Sequence, residues 1–413
     1  MKFIDFFSGV GGFRRGMELA GHECVGFCEF DKFAVAGYTA MHLMTEQERE
    51  YISTLPKNKR VAEAEKEEYR HGEWYANDIR RIFAEDIPKA DCWCFGFPCQ
   101  DISVAGKQLG FDGARSSLFF RVIRLVQDLE EKDRPTYLFI ENVKNLLSVN
   151  GGTDFLKLLI ALDESGYDAE WQVINSADYI PQNRERVFII GHLRGRSTAK
   201  VFPIEGADRE NSVQIKQIGN IKSVKRDNPN RYRVYDVDGI SPTLSKMDGG
   251  GLSPYIPIPV FCDMSKSAGI QTYDKAFCLQ ARYNKGICNG RKEISGICVP
   301  VLTPDRAEKR QNGRRTKGNG EPMFTLTGQD RHGVMISTPD GMAFYSIWYE
   351  KYQCYIAIRK LTPRECFRLQ GWSDEYFDRA ELVNSDSQLY KQAGNGVTVP
   401  VIYEIAKRMR VEK

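Results

Sequence analysis

The sequence predicts an α/β protein with a mostly parallel sheet, accompanied by a smaller, irregular, β-rich domain. Strand-like and helix-like segments alternate through the first half of the chain, which is typical of βαβ units. Near Gly195 the composition shifts to Gly, Pro, Asn and short β-like runs, and helical periodicity returns only after Thr362. With 413 residues, 42% of them hydrophobic, the chain is long enough for two domains and a sizeable core.

Each predicted element follows from a short apolar run or from the helical spacing of apolar residues. The run at 2–7 indicates a buried strand that ends in a glycine turn, and the amphipathic spacing at 118–131 indicates a helix that packs on the sheet. The predicted strands are 2–7, 23–29, 90–95, 136–140, 171–176 and 186–192, of which the last two close the sheet. The predicted helices are 14–20, 32–44, 118–131, 155–165, 364–370 and 402–409.

A strongly charged segment interrupts this alternation. Residues 45–75 have helical character that is broken at Pro56, and we interpret them as a charged helical insertion on the surface. We divide the chain into one domain formed by 1–195 and 356–413 and a second domain formed by 196–355.

The composition also argues against several protein classes. No stretch approaches the roughly 20 apolar residues of a membrane span, and the N-terminus lacks the long apolar region of a signal peptide. We therefore expect no membrane partner and a cytoplasmic location. Eleven scattered cysteines and five histidines, without paired ligand spacing, predict reduced thiols and no metal site.

Four segments with reactive side chains or glycines come at the ends of predicted strands, where open α/β sheets bind their ligands. They are the glycine turn at 7–12, Glu29, the step Pro98-Cys99 and the pair Glu141-Asn142. Glycines let a backbone approach a ligand, a carboxylate accepts from ribose hydroxyls, and a Cys after Pro at a strand end is a nucleophile candidate. Singly, each keeps another interpretation, since glycine turns are common and a strand-ending Glu often caps a helix.

Together and in order, these segments resemble the motifs of the DNA (cytosine-5) methyltransferase family, of the bacterial and phage restriction-modification type. The matching segments are 5–13 (DFFSGVGGF), 96–103 (GFPCQDIS), 141–143 (ENV), 182–186 (QNRER), 359–365 (RKLTPRE) and 392–400 (QAGNGVTVP). The resemblance implies a Rossmann-like, S-adenosylmethionine-dependent catalytic domain at 1–195 and 356–413. It implies target recognition at 196–355, which it covers poorly.

The resemblance further implies covalent catalysis, because C5 of cytosine is too weak a nucleophile to react unaided. The Cys99 thiolate is expected to add to C6, and Glu141 to hold a proton against N3 and the exocyclic amine. Arg186 is expected to bind O2, and Arg184 to support the pocket and the Cys99 loop. C5 then takes the methyl group of S-adenosylmethionine, which leaves S-adenosylhomocysteine, and loss of the C5 proton releases Cys99.

The cofactor pocket of the family carries over position by position. Phe7, Gly9, Val10 and Gly11 are expected around the methionine moiety, Glu29 on the ribose, Phe30, Asp78 and Ile79 around adenine, and Pro98, Leu118 and Asn395 at the pocket's edge. The sequence departs from the family pattern twice. Phe30 stands where Trp is common, and Asn77 stands where Gly is more usual.

A cytosine inside double-stranded DNA must be flipped out before it can react. The loop 100–115, with Ser103, Lys107 and Gln108, is expected to close over the DNA and help fill the vacancy. The candidates for base contacts are Arg282, Gln329 and Arg331, since Arg and Gln suit the edges of G and A. Either Thr243 or Thr325 positions the recognition loop, and Arg310, Arg314 and Arg315 are expected to contact phosphates.

The charge distribution agrees with a DNA-binding second domain. The chain has 58 basic and 55 acidic residues, of which 24 and 16 lie in 196–355 and 34 and 39 lie elsewhere. The basic excess of the second domain predicts that its affinity for DNA falls as the salt concentration rises.

Three other functions compete with DNA methylation. A relative that methylates tRNA shares the catalytic motifs, but the long Gly- and Arg-rich second domain favours duplex DNA. A non-catalytic DNA-binding regulator is disfavoured by the intact Cys99, Glu141 and Arg186. A nicotinamide-dependent enzyme is disfavoured because the turn is not G-x-G-x-x-G. A separately encoded restriction endonuclease is a candidate partner, and we expect a monomer associated with the bacterial nucleoid.

Overall fold

In the computed structural model of the chain, the described residues are 1–98, 118–204, 217–220, 233–235, 241–244, 255–261, 272–273, 276–278, 297–302, 332–337, 343–349, 354–360 and 362–411. The chain forms two units. One comprises Met1–Ile215, Ile240–Leu252 and Thr362–Lys413, and the other comprises Lys216–Gly239 and Ser253–Leu361. The boundaries differ from the predicted ones, because 196–215 and 240–252 belong to the first unit and 356–361 belongs to the second. The assignment of target recognition to 196–355 stays a prediction.

A seven-stranded sheet runs through the first unit. Its strands are β1 (Lys2–Phe6), β2 (Glu23–Cys28), β3 (Trp74–Ala76), β4 (Cys92–Gly96), β5 (Tyr137–Val143), β6 (Tyr167–Asn175) and β7 (Glu185–Leu193). Their spatial order is β3-β2-β1-β4-β5-β7-β6. Only β7 runs antiparallel to its neighbours, and the remaining adjacent pairs are parallel. The predicted mostly parallel, Rossmann-like sheet is confirmed.

Ten α-helices are described in the same unit. They are α1 (Gly12–Leu19), α2 (Lys32–Tyr38), α3 (Glu46–Thr54), α4 (Lys57–Ala64), α5 (Leu118–Asp128), α6 (Thr153–Glu164), α7 (Pro363–Arg368), α8 (Asp374–Val383), α9 (Asp386–Asn395) and α10 (Val399–Ala406). A π-helix, Thr39–Leu43, continues α2 directly.

The sheet is buried on both faces because successive strand residues point to opposite cores. In β1, Ile4 and Phe6 pack in a core that includes α5 and α6, whereas Phe3 packs in a core that includes α1 and α10. A Cβ at Gly16 of α1 would lie 2.5 Å from Ile402 of α10, so the close approach of these helices needs glycine. The C-terminal segment is therefore built into the same core as the first strand.

Several elements differ from the sequence prediction. The short edge strand β3 and the helices α8 and α9 were not expected. β3 lies at the end of the segment 45–75, whose remainder holds α3 and α4 on either side of Pro56. α8 packs on this insertion, where Arg60 donates to the carbonyl of Leu382. The strand β5 also extends to Val143, so Glu141 lies within a strand and does not cap a helix.

The second unit contains a nine-stranded sheet. Its strands are β8 (Gln217–Asn220), β9 (Arg233–Tyr235), β10 (Tyr255–Phe261), β11 (Thr272–Tyr273), β12 (Ala276–Cys278), β13 (Ile297–Leu302), β14 (His332–Ser337), β15 (Ala343–Tyr349) and β16 (Cys354–Lys360). Most adjacent pairs are antiparallel, with β9 and β12 parallel to β10. In the described parts of both units, no helix combines the length and apolarity needed to cross a membrane.

Candidate active site

A cavity of about 470 Å³ opens at the carboxyl edge of the seven-stranded sheet. This volume lies in the range of small-molecule sites. Its lining comes from segments that follow β1 to β4, from the strands β5 and β7 with the residue before β7, and from the end of α9. The predicted site residues that line it are Phe7, Gly9, Glu29, Phe30, Asp78, Ile79, Pro98, Leu118, Glu141, Arg184, Arg186 and Asn395. Residues far apart in sequence are thus brought to one edge of the sheet.

The glycine turn after β1 holds the Glu29 carboxylate through its backbone. Gly9 has a φ of +55°, and its N–H donates to Glu29 Oε2 at 2.9 Å, while the N–H of Asp31 donates to Oε1 at 2.7 Å. Burial raises the pKa of Glu29, and the two N–H donors oppose that rise. Both carboxylate oxygens keep further acceptor capacity, which suits the hydroxyl groups of a ribose.

Next to Glu29, an aromatic ring and a carboxylate form the outer end of the cavity. The Phe30 side chain is 66% exposed, which leaves a ring face open to a flat ligand. Arg80 engages both oxygens of Asp78, with Nε 2.9 Å from Oδ1 and Nη2 2.7 Å from Oδ2, and this lowers the pKa of Asp78. The Arg80 guanidinium also lies 5.9 Å from the Phe30 ring centre. Sequence reasoning missed Arg80, whose only signal is its place after the segment 77–79.

The opposite end of the cavity carries an ion pair on neighbouring strands. Glu141 of β5 and Arg186 of β7 are separated by 3.1 Å between Oε1 and Nε, and their side chains are only 11% and 16% exposed. The antiparallel register places Val143 opposite Arg186 and Glu141 opposite Phe188. A carboxyl group and a guanidinium so placed offer hydrogen-bond acceptors and donors to one planar ligand.

The turn that leads into Cys99 is fastened to β5. The Asn142 side chain donates to the carbonyl of Phe97 at 3.1 Å. A Cβ on Gly96 would lie 3.1 Å from Glu141 Oε2, so a side chain there would press on the carboxylate. Asn142 therefore helps to position the turn before Cys99, a role that its place in the motif at 141–143 did not reveal.

Comparison with known proteins decides the family. A family model described as C-5 cytosine-specific DNA methylase matches residues 1–410. The chain belongs to this family. It is therefore a DNA (cytosine-5) methyltransferase, and the resemblance stated from the motifs is confirmed.

Similar proteins agree with this assignment. The methyltransferase is 30% identical to the orphan methyltransferase M.SPRI of Bacillus phage SPR, over 99% of this chain and 97% of that protein. It is also 30% identical to the type II methyltransferase M.Bsp6I of Bacillus sp. strain RFL6, over 99% and 98% of the two chains. One relative is thus a phage orphan methyltransferase and the other a bacterial type II methyltransferase, in agreement with the predicted bacterial and phage type.

Solved structures show the fold. The chain superposes on the methyltransferase EhMeth of Entamoeba histolytica with a TM-score of 0.52 and 15% identity, covering 98% of this chain and 96% of that one. It superposes on the Dnmt2 methyltransferase of S. pombe with a TM-score of 0.50 and 14% identity, covering 98% and 97%.

Arg184 of the methyltransferase is a buried structural tie. Its guanidinium donates to the carbonyls of Gly396 at 2.8 Å, Gly394 at 3.3 Å and Leu244 at 3.4 Å. The first two flank Asn395, so Arg184 fixes one wall of the cavity. Its predicted support of the Cys99 loop concerns residues outside the described ranges.

Three further predicted residues do not line the cavity. Val10 and Gly11 lie in the glycine turn but outside the lining. The Thr243 hydroxyl donates to the carbonyl of Asn183 at 2.7 Å, within the first unit. The remaining predicted site residues lie outside the described residues: Cys99, Ser103, Lys107, Gln108, Arg282, Arg310, Arg314, Arg315, Thr325, Gln329 and Arg331.

Sequence reasoning also missed a lysine in the cavity lining. Lys391 of α9 lies 2.5 Å from Asp31 Oδ2 and so joins the C-terminal helices to the start of α2. Its signal was its position directly before the motif at 392–400. Among the described side chains, no group of three His, Cys, Asp or Glu residues is placed to hold a metal ion, and the predicted lack of a metal stays a prediction.

Proposed function

We propose that this methyltransferase binds S-adenosylmethionine in the cavity and methylates C5 of a cytosine flipped out of duplex DNA. One observation carries the proposal. A single cavity combines the Gly9–Glu29 arrangement at one end with the Glu141–Arg186 pair at the other, and Pro98 in its lining precedes Cys99. When bound, S-adenosylmethionine supplies an electrophilic methyl group.

The residues around the cavity fit that cofactor by their chemistry. The Glu29 carboxylate suits the ribose hydroxyls, the open face of Phe30 suits a purine ring, and the glycine turn leaves room beside Gly9. Asp78 fits the adenine amine less simply, because Arg80 already occupies both its oxygens. An adenine amine at Asp78 has to share these oxygens with Arg80 or displace it.

The base is proposed to bind between Glu141 and Arg186. Glu141 is proposed to hold a proton against N3 and the exocyclic amine, while Arg186 donates to O2. This opposes the negative charge that develops in the ring when the Cys99 thiolate adds to C6. The thiolate leaves again when the C5 proton is removed.

Other cysteines are poor competitors for this role. Burial raises the pKa of Cys24 and of Cys366 to about 12, and it raises the pKa of Cys28 and Cys94 as well. A thiol with a raised pKa is a weak nucleophile at neutral pH. These four thiols are therefore weaker candidates than Cys99, and Cys92 is fully buried in β4.

Covalent trapping tests the nucleophile. Duplex DNA with 5-fluorocytosine at target sites should form a stable adduct with the full chain, because fluorine blocks the final elimination. Cys99→Ser should form none, whereas the matched variant Cys366→Ala should form it as the wild type does. An adduct with Cys99→Ser would overturn the assignment.

Substrate choice is tested with the same protein. The family match favours DNA over tRNA, so methyl transfer from labelled S-adenosylmethionine should reach duplex DNA and not tRNA. Transfer to tRNA alone would overturn the proposal.

The remaining parts of the proposal concern recognition and context. We propose Ser103, Lys107 and Gln108 at the vacated base position, Arg282, Gln329 and Arg331 at base edges, and Arg310, Arg314 and Arg315 at phosphates, with Thr243 or Thr325 positioning the recognition loop. Neutralising Arg310, Arg314 and Arg315 together should reduce the dependence of DNA affinity on salt concentration, that is, the salt slope. An unchanged slope would contradict that assignment. The phage and bacterial relatives support a cytoplasmic location. We further propose that the protein acts as a monomer, alone or beside a separate endonuclease.

A further inference from the structure

His42 lies behind the glycine turn and donates a hydrogen bond to it. Its Nε2 is 3.0 Å from the carbonyl oxygen of Val10, and since a carbonyl can only accept, Nε2 carries the hydrogen. The Nδ1 atom is enclosed and has no hydrogen-bond partner among the described residues. Burial holds the pKa of His42 well below its usual range, so the ring is neutral. The bond to Val10 is therefore the polar contact that fixes this side chain.

The local fold aims His42 at the turn. The helix α2 widens into the π-helix Thr39–Leu43, in which the N–H of Met44 donates to the carbonyl of Thr39 at 3.0 Å. A π-turn shifts the following side chains around the axis and is often found at functional sites. The His42 ring is held between Tyr38, Trp372 and Tyr376, with ring centres 4.9, 5.9 and 5.4 Å away.

The glycine turn approaches the His42 ring closely at Gly11. A Cβ on Gly11, where φ is +83°, would lie 2.5 Å from His42 Nε2, so only glycine fits between them. Phe7, a non-glycine residue, has a φ of +53° in the same turn. Such a conformation is unfavourable for a residue with a side chain and persists where the surroundings hold it.

Two hydrogen bonds from two partners hold the peptide groups on either side of the Gly9–Val10 peptide. The Gly9 N–H is bound to Glu29 in the cavity lining, and the Val10 carbonyl is bound to His42, which is not part of that lining. The Gly9–Val10 backbone is thus held by one hydrogen bond on the cavity side and by one hydrogen bond on the side away from the cavity.

We propose that His42 is a positioning residue of the cofactor site. By holding the Val10 carbonyl away from the cavity, it keeps the Gly9–Val10 backbone in the conformation that binds the methionine part of S-adenosylmethionine. This inference rests on the proposed cofactor site, and it assigns His42 no contact with the cofactor.

The test compares three variants of the full chain by calorimetric binding of S-adenosylhomocysteine. His42→Phe keeps a ring but removes the donor, and we expect about tenfold weaker binding, as for one lost hydrogen bond. His42→Gln places an amide donor at the reach of Nε2, and we expect binding within about threefold of the wild type. Tyr376→Leu removes ring packing but keeps the donor, and should bind like the wild type even with a lower Tm.

Steady-state kinetics give a second readout that a general loss of stability would not produce. In His42→Phe the KM for S-adenosylmethionine should rise about tenfold, while kcat at saturation stays within about twofold. Equal binding by His42→Phe and wild type, or equal losses in the Phe and Gln variants, would overturn the role of His42. If the wild type itself binds no S-adenosylhomocysteine, the proposed cofactor site fails, and this inference fails with it.

Discussion

The two ends of the cavity hold their carboxylates in different ways. At the cofactor end, which we define by Gly9, Glu29 and Phe30, the Glu29 carboxylate is held by backbone N–H groups of Gly9 and Asp31. At the base end, defined by Glu141, Asn142 and Arg186, the Glu141 carboxylate faces a guanidinium at 3.1 Å. Glu29 is fixed by backbone groups of its own loop and of the glycine turn after β1, and Glu141 by a side chain on the neighbouring strand.

This difference suits two kinds of work. Backbone donors orient Glu29 without adding a cation, so the carboxylate can accept from neutral hydroxyls. The Arg186 guanidinium brings a permanent positive charge next to Glu141, where we propose that charge develops on the reacting base. We therefore expect substitutions at the two ends to have different effects. Those at the cofactor end should change cofactor affinity, and those at the base end should change the rate of the chemical step.

The largest effect is expected for Glu141→Gln. The substitution keeps the shape but removes the group proposed to hold a proton at the base, so kcat should fall by about 10²- to 10⁴-fold. Binding of S-adenosylhomocysteine should stay within about threefold. The control is Glu185→Gln, which changes an exposed carboxylate paired with Lys144. If Glu141→Gln lost cofactor binding but kept the kcat of the wild type, the two ends would not have the different roles proposed for them.

The reciprocal change, Glu29→Ala, should act on affinity. A charge-assisted hydrogen bond contributes about 1.5–3 kcal/mol, so the Kd for S-adenosylhomocysteine should rise by about 10- to 100-fold. At saturating S-adenosylmethionine, kcat should change by less than about tenfold. Glu23→Ala, at the exposed start of β2, serves as the control. If kcat falls as far as in Glu141→Gln, Glu29 does not belong to a separate cofactor end.

A smaller loss of affinity is expected for Phe30→Ala. Stacking of an aromatic side chain on a base is worth about 1–3 kcal/mol, so binding of S-adenosylhomocysteine should weaken about tenfold, and Phe30→Trp should restore it. Phe83→Ala is a matched control, because Phe83 is equally exposed at 66% but does not line the cavity. Equal effects at both positions would argue against adenine stacking on Phe30.

The smallest effect concerns stability against pH in Glu29→Gln. Burial raises the pKa of Glu29 above its ordinary value near 4.5. The folded protein therefore holds this proton more tightly than the unfolded chain, and the stability from protonated Glu29 is lost as pH rises through the folded-state pKa. Glutamine does not titrate, so Tm of the variant minus Tm of the wild type should increase from about pH 4 to pH 7.

A carboxylate with the opposite shift provides the control for this pH series. Arg49 lowers the pKa of Glu46, so its stabilising effect is present above the ordinary pKa and is lost as pH falls. The Tm difference for Glu46→Gln should therefore move in the opposite direction. A pH-independent difference for Glu29→Gln would show that the carboxyl does not titrate abnormally.

Much of the first unit was predictable from local pattern. Apolar runs identified β1, β2, β4 and β5, because a strand buried on both faces needs nearly continuous apolar residues. β3, with three residues, is too short to show such a run, and it forms because the edge of β2 offers pairing partners for Trp74 and Ala76. The helices α8 and α9 are rich in charged and polar residues, and their few apolar positions pack on other helices.

The candidate site was predictable in its carboxylates but not in the contacts that hold them. Glycines and strand-ending carboxylates in the sequence pointed to Glu29 and Glu141, since their positions in the motifs are local. The contacts are long-range: Arg186 lies against Glu141, and His42 donates to Val10, although sequence spacing relates neither pair. The roles of these residues depend on where side chains meet in the folded protein.

Apolar periodicity was enough to predict the fold class, and six short motifs in order were enough to predict the family. Only the folded structure shows that Glu141 lies within β5 opposite β7, that Arg184 donates to three carbonyls, and that a π-turn brings His42 to the glycine turn. Hydrogen bonds between distant segments form only after packing has placed their donors and acceptors. Composition and periodicity do not predict which distant donors and acceptors will meet.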